Sequence, residues 1–164
     1  MQNNRVLAID PGFERLGIAI IDKDKKEVLL YSDCFKTSPK DNFYVRLRQI
    51  GEEINRIIEI YEPSACAIET LFFENNQKTA MHVAEARGVI AYEAARRAIP
   101  ISEFTPLQIK MAITSHGRSD KKQIIFMIPK LIKIEKEIKH DDEYDAIAIG
   151  LTYFSTVKNS CKII

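Results

Sequence analysis

Four acidic side chains in this sequence lie where short apolar runs end or where a helical pattern begins. Asp10 and Glu69 each close an apolar run, and Asp142 and Asp145 open the last helical pattern at a spacing of three residues. That spacing puts both carboxylates on one face of a helix. Carboxylates that pack together repel one another and raise one another's pKa, so such a cluster requires cations. Oxygen ligands favour Mg²⁺ or Mn²⁺, and the four acids therefore indicate divalent-metal chemistry.

A pair of such ions about 4 Å apart can bind a phosphodiester, activate a water molecule and stabilise the leaving 3′ oxygen without a Ser, Cys or His nucleophile. Three of the four acids also have structural explanations. Asp10 precedes a Pro-Gly pair and could belong to a turn. Asp142 could cap a helix, and Asp145 could complement the helix dipole. Glu69 has no obvious structural use at the end of a buried strand, so the metal hypothesis depends most on this residue.

The apolar spacing predicts the elements that would bring these acids together. Strands are predicted over residues 6–9, 16–21, 28–31, 64–69 and 101–104. Helices are predicted over residues 43–61, 79–98, 106–114, 120–131 and 142–157, with Pro129 expected to kink or split the fourth. This order predicts an α/β fold with a five-stranded mixed sheet and helices on both faces. If the first and fourth strands are parallel neighbours, Asp10 and Glu69 lie at the same edge of the sheet.

Composition excludes several classes of protein. The chain has 164 residues, of which 46% are hydrophobic and 29% charged, and we expect one folded domain over residues 1–164. Its apolar runs are much shorter than the ~20 residues of a membrane-spanning helix, and its start lacks the pattern of a secretory signal. The three cysteines, Cys34, Cys66 and Cys161, are expected to be free thiols. An odd number without metal-type spacing favours a cytoplasmic location.

The net charge of +1 hides an uneven distribution. Residues 105–139 contain eight basic and three acidic side chains, a local charge of +5, so the rest of the chain carries −4. A basic region attracts a polyanion, while a separate acidic region can hold metal ions, and nucleic-acid enzymes need both. The alternative for the basic region is a solvated, lysine-rich surface.

The sequence resembles the RuvC family of Holliday junction resolvases in four motifs that occur in the family's order. They are LAIDPG at residues 7–12 with Gly17, AIE at 67–69 with Phe72, ARG at 86–88, and DEYDAIAI at 142–149. The resemblance implies an RNase H-like fold and a homodimer that nicks two opposed strands of a four-way DNA junction. It also implies two Mg²⁺ ions per active site, with Mn²⁺ as a substitute, and a branch-migration motor complex as a partner.

The resemblance places the catalytic and metal-binding acids on Asp10, Glu69, Asp142 and Asp145, and catalytic lysines on Lys110 and Lys121. His140 and Asp141 compete with Asp142 for the third acid position. Asp142 is preferred because its spacing to Asp145 matches the family pattern. Phe72 and Phe73 are adjacent aromatics in a polar segment, where stacking on bases is worth about 1–3 kcal/mol per base. The resemblance implies this stacking for Phe72, and the alternative is that both rings cover the top of the sheet. The residues predicted to bind DNA are Phe72, Phe73, Asn76, Lys78, Arg118 and Lys122.

The predicted helix at residues 79–98 carries a stripe of small residues that would let a second helix approach closely. The stripe consists of Ala80, Ala84, Gly88, Ala91 and Ala95. With the sheet covering its other face, the partner of this stripe is expected to be the same helix of a second subunit. Two other functions stay open: an RNase H-like nuclease acting on RNA or single strands, and a junction-binding module without catalysis.

Overall fold

The computed structural model of the chain describes residues 4–71 and 77–160. Its strands are β1 (Val6–Asp10), β2 (Arg15–Lys23), β3 (Glu27–Lys36), β4 (Ala65–Glu69) and β5 (Ile101–Phe104). Its helices are α1 (Phe43–Tyr61), α2 (Gln77–Ala95), α3 (Pro106–Thr114), α4 (Lys121–Leu131) and α5 (Asp141–Ser160). Within the described ranges, none of the helices is long and apolar enough to cross a membrane.

The strands form one sheet in the order β3-β2-β1-β4-β5. The first three strands are an antiparallel meander, whereas β4 runs parallel to both β1 and β5. Val6 pairs with Ala65 and Ile9 pairs with Ile68, so Asp10 and Glu69 follow the last paired residues at the same edge. The expected five-stranded mixed sheet is confirmed.

Side chains alternate across the sheet and build a separate core on each face. One face of the sheet packs against α3, α4 and α5, and the other packs against α1 and α2, which confirms helices on both faces. Ala8 and Ala67 belong to the α5 face. Asp10 and Glu69 lie two residues further along the same strands and therefore point to that face as well.

Two glycines allow α5 to lie directly on the sheet. A Cβ atom at Gly17 would lie 2.1 Å from the carbonyl oxygen of Asp142, and one at Gly150 would lie 2.7 Å from Cδ1 of Ile21. A side chain at position 17 would push the helix away, because the atom it meets is backbone, whereas one at position 150 would meet the movable end of the Ile21 side chain. The glycine at position 17 thus sets the height of the first turn of α5 above β2.

Most predicted boundaries are correct to within three residues, and three differences from the prediction have a clear physical reason. β3 extends to Lys36 instead of ending at residue 31, because polar Ser32 and small Cys34 occupy the buried side and hide the strand pattern. α2 ends at Ala95 instead of residue 98, where Ala98 takes a positive φ of 55° and the chain turns. α4 is not split by Pro129, since this residue lies in the last turn and removes only one helical hydrogen bond.

Candidate active site

Asp10 and Glu69 lie side by side at the ends of the parallel strands β1 and β4. Burial raises the pKa of Asp10 well above its usual value, and the charges of Glu69, Asp145 and Asp142 raise it further. Burial and the charge of Asp145 also raise the pKa of Glu69. Without a cation, this pair retains a proton that an isolated carboxylate would lose.

The first two turns of α5 supply the other two acids, Asp142 and Asp145. Asp145 is buried enough that its pKa is raised, although Lys121 partly opposes the shift. The carboxylates whose charges raise the pKa of Asp10 are those of Glu69, Asp145 and Asp142. His140 instead lies with Nε2 2.7 Å from Nζ of Lys36.

Basic side chains hold the acids of α5 in place. Nζ of Lys121 lies 2.6 Å from Oδ2 of Asp141 and 2.8 Å from Oδ2 of Asp145. Nε of Arg15 lies 3.4 Å from Oδ2 of Asp142, and Nη2 of Arg15 lies 3.9 Å from Oδ1 of Asp141. These cations compensate the negative charge of the site.

The donor set has the chemistry of a Mg²⁺ or Mn²⁺ site, because it consists of carboxylate oxygens. A divalent charge would also relieve the repulsion that raises the pKa of Asp10. Within the described residues, 4–71 and 77–160, no three His, Cys, Asp or Glu side chains lie close enough together to surround one ion. The charges of Glu69, Asp142 and Asp145 nevertheless act on Asp10. Two of these acids form ion pairs, Asp142 with Arg15 and Asp145 with Lys121.

A pocket of about 250 Å³ opens beside these acids, between the sheet, α3, α4 and α5. Glu69 and Asp145 contribute the negative side of its wall, and Lys110 and Lys121 contribute the positive side. An apolar surface completes the lining, formed by Pro106, Ile109, Ile124, Ala148 and Ile149. A lysine-rich wall next to carboxylates suits an anionic substrate that is held at a metal site.

Helix caps place the two lysines of the pocket. Asp120 and Gln123 form a capping box in which each side chain bonds the other residue's backbone, so α4 begins at Lys121. Thr105 and Gln108 form the same motif at the start of α3, and Lys110 follows two residues after Gln108. Reciprocal caps of this kind fix where a helix begins. They therefore fix which lysine faces the acids.

The residues predicted to bind DNA are only partly described. Arg118 and Lys122 are exposed on either side of the cap of α4. Phe72, Phe73 and Asn76 lie outside the described residues, as does the side chain of Lys78.

The sequence assigned no role to Arg15 or Glu143, and it offered Asp141 only as a competitor of Asp142 for the third acid position. The contacts of Arg15 with Asp141 and Asp142 depend on β2 meeting α5 in space. Glu143, between two predicted metal ligands, is only 4% exposed and accepts a hydrogen bond from Oγ of Ser32. His82 of α2 is half-buried, because its ring packs 4.7 Å from that of Phe43.

Comparison with known proteins gives the same family that the motifs indicate. A family model described as crossover junction endodeoxyribonuclease RuvC matches residues 6–153. A relative with that name from Thermosipho melanesiensis is 41% identical over 147 residues, covering 89% of this chain and 94% of the relative. Another from Finegoldia magna is 40% identical over 150 residues, covering 91% and 92%. The family resemblance of the sequence is confirmed.

Solved structures agree with the fold. Thermus thermophilus RuvC, solved in complex with a Holliday junction substrate, matches with a TM-score of 0.89 at 26% identity and covers 95% of this chain and 96% of its own. The yeast mitochondrial Holliday junction resolvase matches with a TM-score of 0.70 at 14% identity, which is a likeness of fold alone. The RNase H-like fold is confirmed, and the chain belongs to the RuvC family of crossover junction endodeoxyribonucleases.

Proposed function

We propose that this protein is an endonuclease that resolves four-way DNA junctions by cutting two opposed strands symmetrically. The observation that carries the proposal is that β1, β4 and α5 bring four acids to one edge of the sheet. Glu69 and Asp145 line a pocket with Lys110 and Lys121. Asp10 follows β1 beside Glu69, and a Cβ at Gly17 would lie 3.1 Å from Cβ of Asp10 and 2.1 Å from the carbonyl oxygen of Asp142. The family membership and the junction bound to the Thermus thermophilus relative support DNA junctions as the substrate.

Asp10, Glu69, Asp142 and Asp145 would hold two Mg²⁺ ions, for which Mn²⁺ would substitute. Bound there, the ions would activate a water molecule and stabilise the leaving 3′ oxygen. Lys110 and Lys121 stand at the pocket where the phosphate would bind, so their charges would stabilise the negative charge of the transition state. Arg118 and Lys122 would contact the phosphate backbone on the outer side of this pocket. Such contacts position the nucleic acid without reading its sequence.

The segment after β4 would read the junction itself. Phe72 and Phe73 would stack on bases that are unpaired at the crossover, and Asn76 and Lys78 would contact the strands beside them. Stacking against a base tolerates any sequence because every base has a π-face.

Symmetric cutting requires two identical sites, and a homodimer formed through α2 would supply them. Gly88 lies on the outer surface of α2, where an added Cβ would meet nothing within 4 Å. Met81 and Tyr92, on the same helix, are 63% and 64% exposed. An uncovered apolar helix surface of this kind supports a helix–helix interface. We further propose a branch-migration motor complex as a partner. We also propose the cytoplasm as the location, which the free thiols of Cys34 and Cys66 support.

A cleavage assay tests the proposal. A synthetic four-way junction, its linear duplex arms and an RNA strand of the same sequence are incubated with the protein in Mg²⁺, in Mn²⁺ and in EDTA. We expect paired nicks in the junction with either metal and no cutting in EDTA. Glu69→Gln should bind the junction and leave it uncut.

Equal cutting of linear or RNA strands would favour a general RNase H-like nuclease over a resolvase. Junction binding without metal-dependent cutting by the wild type would instead indicate a binding module. Either result would overturn the proposed resolvase activity.

A further inference from the structure

Glu143 differs from the acids on either side of it. The side chains of Asp142 and Asp145 are 15% and 28% exposed, whereas that of Glu143 is 5% exposed. Oγ of Ser32 donates a hydrogen bond to Oε2 of Glu143 over 3.0 Å, and Nζ of Lys136 lies 2.6 Å from the same oxygen. Lys136 also donates to the backbone oxygen of Ser32 over 2.5 Å.

A buried carboxylate is stable only when it is paired and hydrogen-bonded, so these contacts lock the three residues to one another. Ser32 belongs to β3, Lys136 to the segment between α4 and α5, and Glu143 to the first turn of α5. We call these three residues the Glu143 clamp. It joins the start of α5 to the antiparallel part of the sheet.

Neighbouring contacts seat the same turn of α5 on the same strands. The carbonyl oxygen of Asp142 occupies the space where Gly17 has no side chain, and Sγ of Cys34 lies 3.6 Å from Oδ2 of Asp142. Ser32 pairs with Ala19 and Cys34 pairs with Gly17, so these contacts follow one line across β2 and β3. Among the described residues of that line, Glu143 is the buried charged one. The side chain of its partner Lys136 is 44% exposed, so this cation reaches Glu143 from the surface.

We propose that Glu143 is a positioning residue: held by Ser32 and Lys136, it fixes the first turn of α5 so that Asp142 and Asp145 face Asp10 and Glu69. The inference rests on the proposed metal-dependent function. Mg²⁺ demands nearly ideal octahedral geometry, so a small displacement of two ligands weakens its binding. Loss of a group that orients metal ligands typically lowers metal affinity by about 10–100-fold.

The charge of the clamp allows a sharp test. Glu143→Gln removes a negative charge near the site, and this alone would weaken cation binding. Lys136→Met removes a positive charge, so simple electrostatics predicts tighter Mg²⁺ binding, whereas loss of positioning predicts weaker binding. Ser32→Ala changes no charge and removes one hydrogen bond from Glu143.

The measurements are Mg²⁺ binding to the DNA-free protein by calorimetry, the Mg²⁺ concentration that gives half-maximal junction cleavage, and Tm in EDTA. Glu53→Gln is the matched control, because Glu53 pairs with Arg56 at 2.6 Å, is 12% exposed and lies in α1 on the opposite face of the sheet. We expect Lys136→Met to raise the Kd for Mg²⁺ about tenfold or more, and Ser32→Ala to raise it less. Excess Mg²⁺ should restore cleavage by both variants, and Glu53→Gln should lower Tm without changing the Kd.

Lys136→Met and Ser32→Ala decide the outcome even if Glu143→Gln does not fold. If the wild type binds Mg²⁺ and both variants bind it as tightly or more tightly, the clamp only stabilises the fold. That result overturns the positioning role of Glu143 and leaves the proposed metal-dependent function standing. If the wild type binds no Mg²⁺, the proposed metal-dependent function fails, and the positioning role fails with it.

Discussion

Nζ of Lys121 lies 2.8 Å from Oδ2 of Asp145, so the first residue of α4 neutralises an acid in the first turns of α5. Partial burial lowers the pKa of Lys121, but its hydrogen bonds to Asp141 and Asp145 outweigh burial and raise the pKa above its usual value. The ammonium group therefore keeps its proton at neutral pH. It acts as a fixed cation for the acids and for any phosphate that enters the pocket.

Replacing Lys121 by Met should make the protein depend more strongly on divalent ions. In EDTA, Asp141 and Asp145 would lose their cation, so we expect a lower Tm than in the wild type. Adding Mg²⁺ should raise the Tm of the variant by more than it raises that of the wild type. Junction cleavage should fall by about 10²–10³-fold, the usual effect of removing one group that stabilises transition-state charge.

Thermal unfolding with and without Mg²⁺ checks this prediction. Lys122→Met is the control, because Lys122 is exposed and next to Lys121 in the sequence. A Tm response to Mg²⁺ that is the same in Lys121→Met and the wild type would contradict the role of Lys121 as a compensating cation.

Replacing Asp10 by Asn should stabilise the metal-free protein while abolishing cleavage. Because the pKa of Asp10 is raised in the folded state, its contribution to stability is fully present below the unfolded value of about 3.9. That contribution is lost as the pH rises through the raised folded-state pKa. In EDTA the wild type should therefore lose stability over this pH range, and Asp10→Asn should lose less.

The measurement is Tm in EDTA from about pH 4 to pH 8, and about 1 kcal/mol corresponds to about 2–4 °C in a protein of this size. Asp24→Asn, in the exposed turn between β2 and β3, is the control and should follow the wild type. An Asp10→Asn variant that melts below the wild type at pH 8 would show that Asp10 is not under repulsion.

Replacing Gly17 by Ala should displace α5. The new Cβ would lie 2.1 Å from the carbonyl oxygen of Asp142 and 3.1 Å from Cβ of Asp10, and neither neighbour can move freely. We expect a loss of stability of about 1–3 kcal/mol, typical of overpacking, together with loss of cleavage. Urea unfolding measures the first effect and the junction assay the second. Wild-type stability and cleavage together would be incompatible with the contact between β2 and α5.

Replacing Gly88 by Ala tests the proposed dimer. In a monomer the substitution should be stabilising by up to about 1 kcal/mol, because alanine favours a helix and the added Cβ meets open space. In a dimer that packs α2 against α2, the same Cβ would enter the partner helix and weaken association. Light scattering at micromolar concentration should show a wild-type dimer and a larger monomer fraction for Gly88→Ala. A wild-type monomer would remove the basis for paired cutting.

Salt should weaken junction binding steeply, because the proposed contacts of Arg118 and Lys122 are with phosphates. Each alanine substitution should lower the slope of log affinity against log salt by about 1. Fluorescence anisotropy with a labelled junction measures this slope. Glu52→Ala on α1 is a control that leaves these contacts intact, and a slope that is the same in all variants would exclude Arg118 and Lys122 from the interface.

The sequence predicted the parts of the fold that depend on local pattern. β1 and β4 are continuous apolar runs, and Asp10 and Glu69 are conspicuous because each acid ends such a run. The C-terminal half of β3 was missed, since Ser32 is polar although it faces the core.

The contacts of the site that span long stretches of chain were not predictable. Lys121 and Asp145 are 24 residues apart, and Ser32 and Glu143 are 111 apart. An acid in the first turn of a helix is ordinarily explained by the helix dipole, so nothing in the sequence distinguishes buried Glu143 from the half-buried acids beside it. Its burial follows only from the way α5 crosses β2 and β3.

The position of α5 at the end of the described chain has a consequence during protein synthesis. Asp10 and Glu69 leave the ribosome early, but the helix that carries Asp142 and Asp145 emerges only after the whole sheet. A growing chain that lacks α5 therefore has only two of the four proposed metal ligands. Any cleavage that needs all four acids has to wait until α5 has been synthesised and has packed on the sheet.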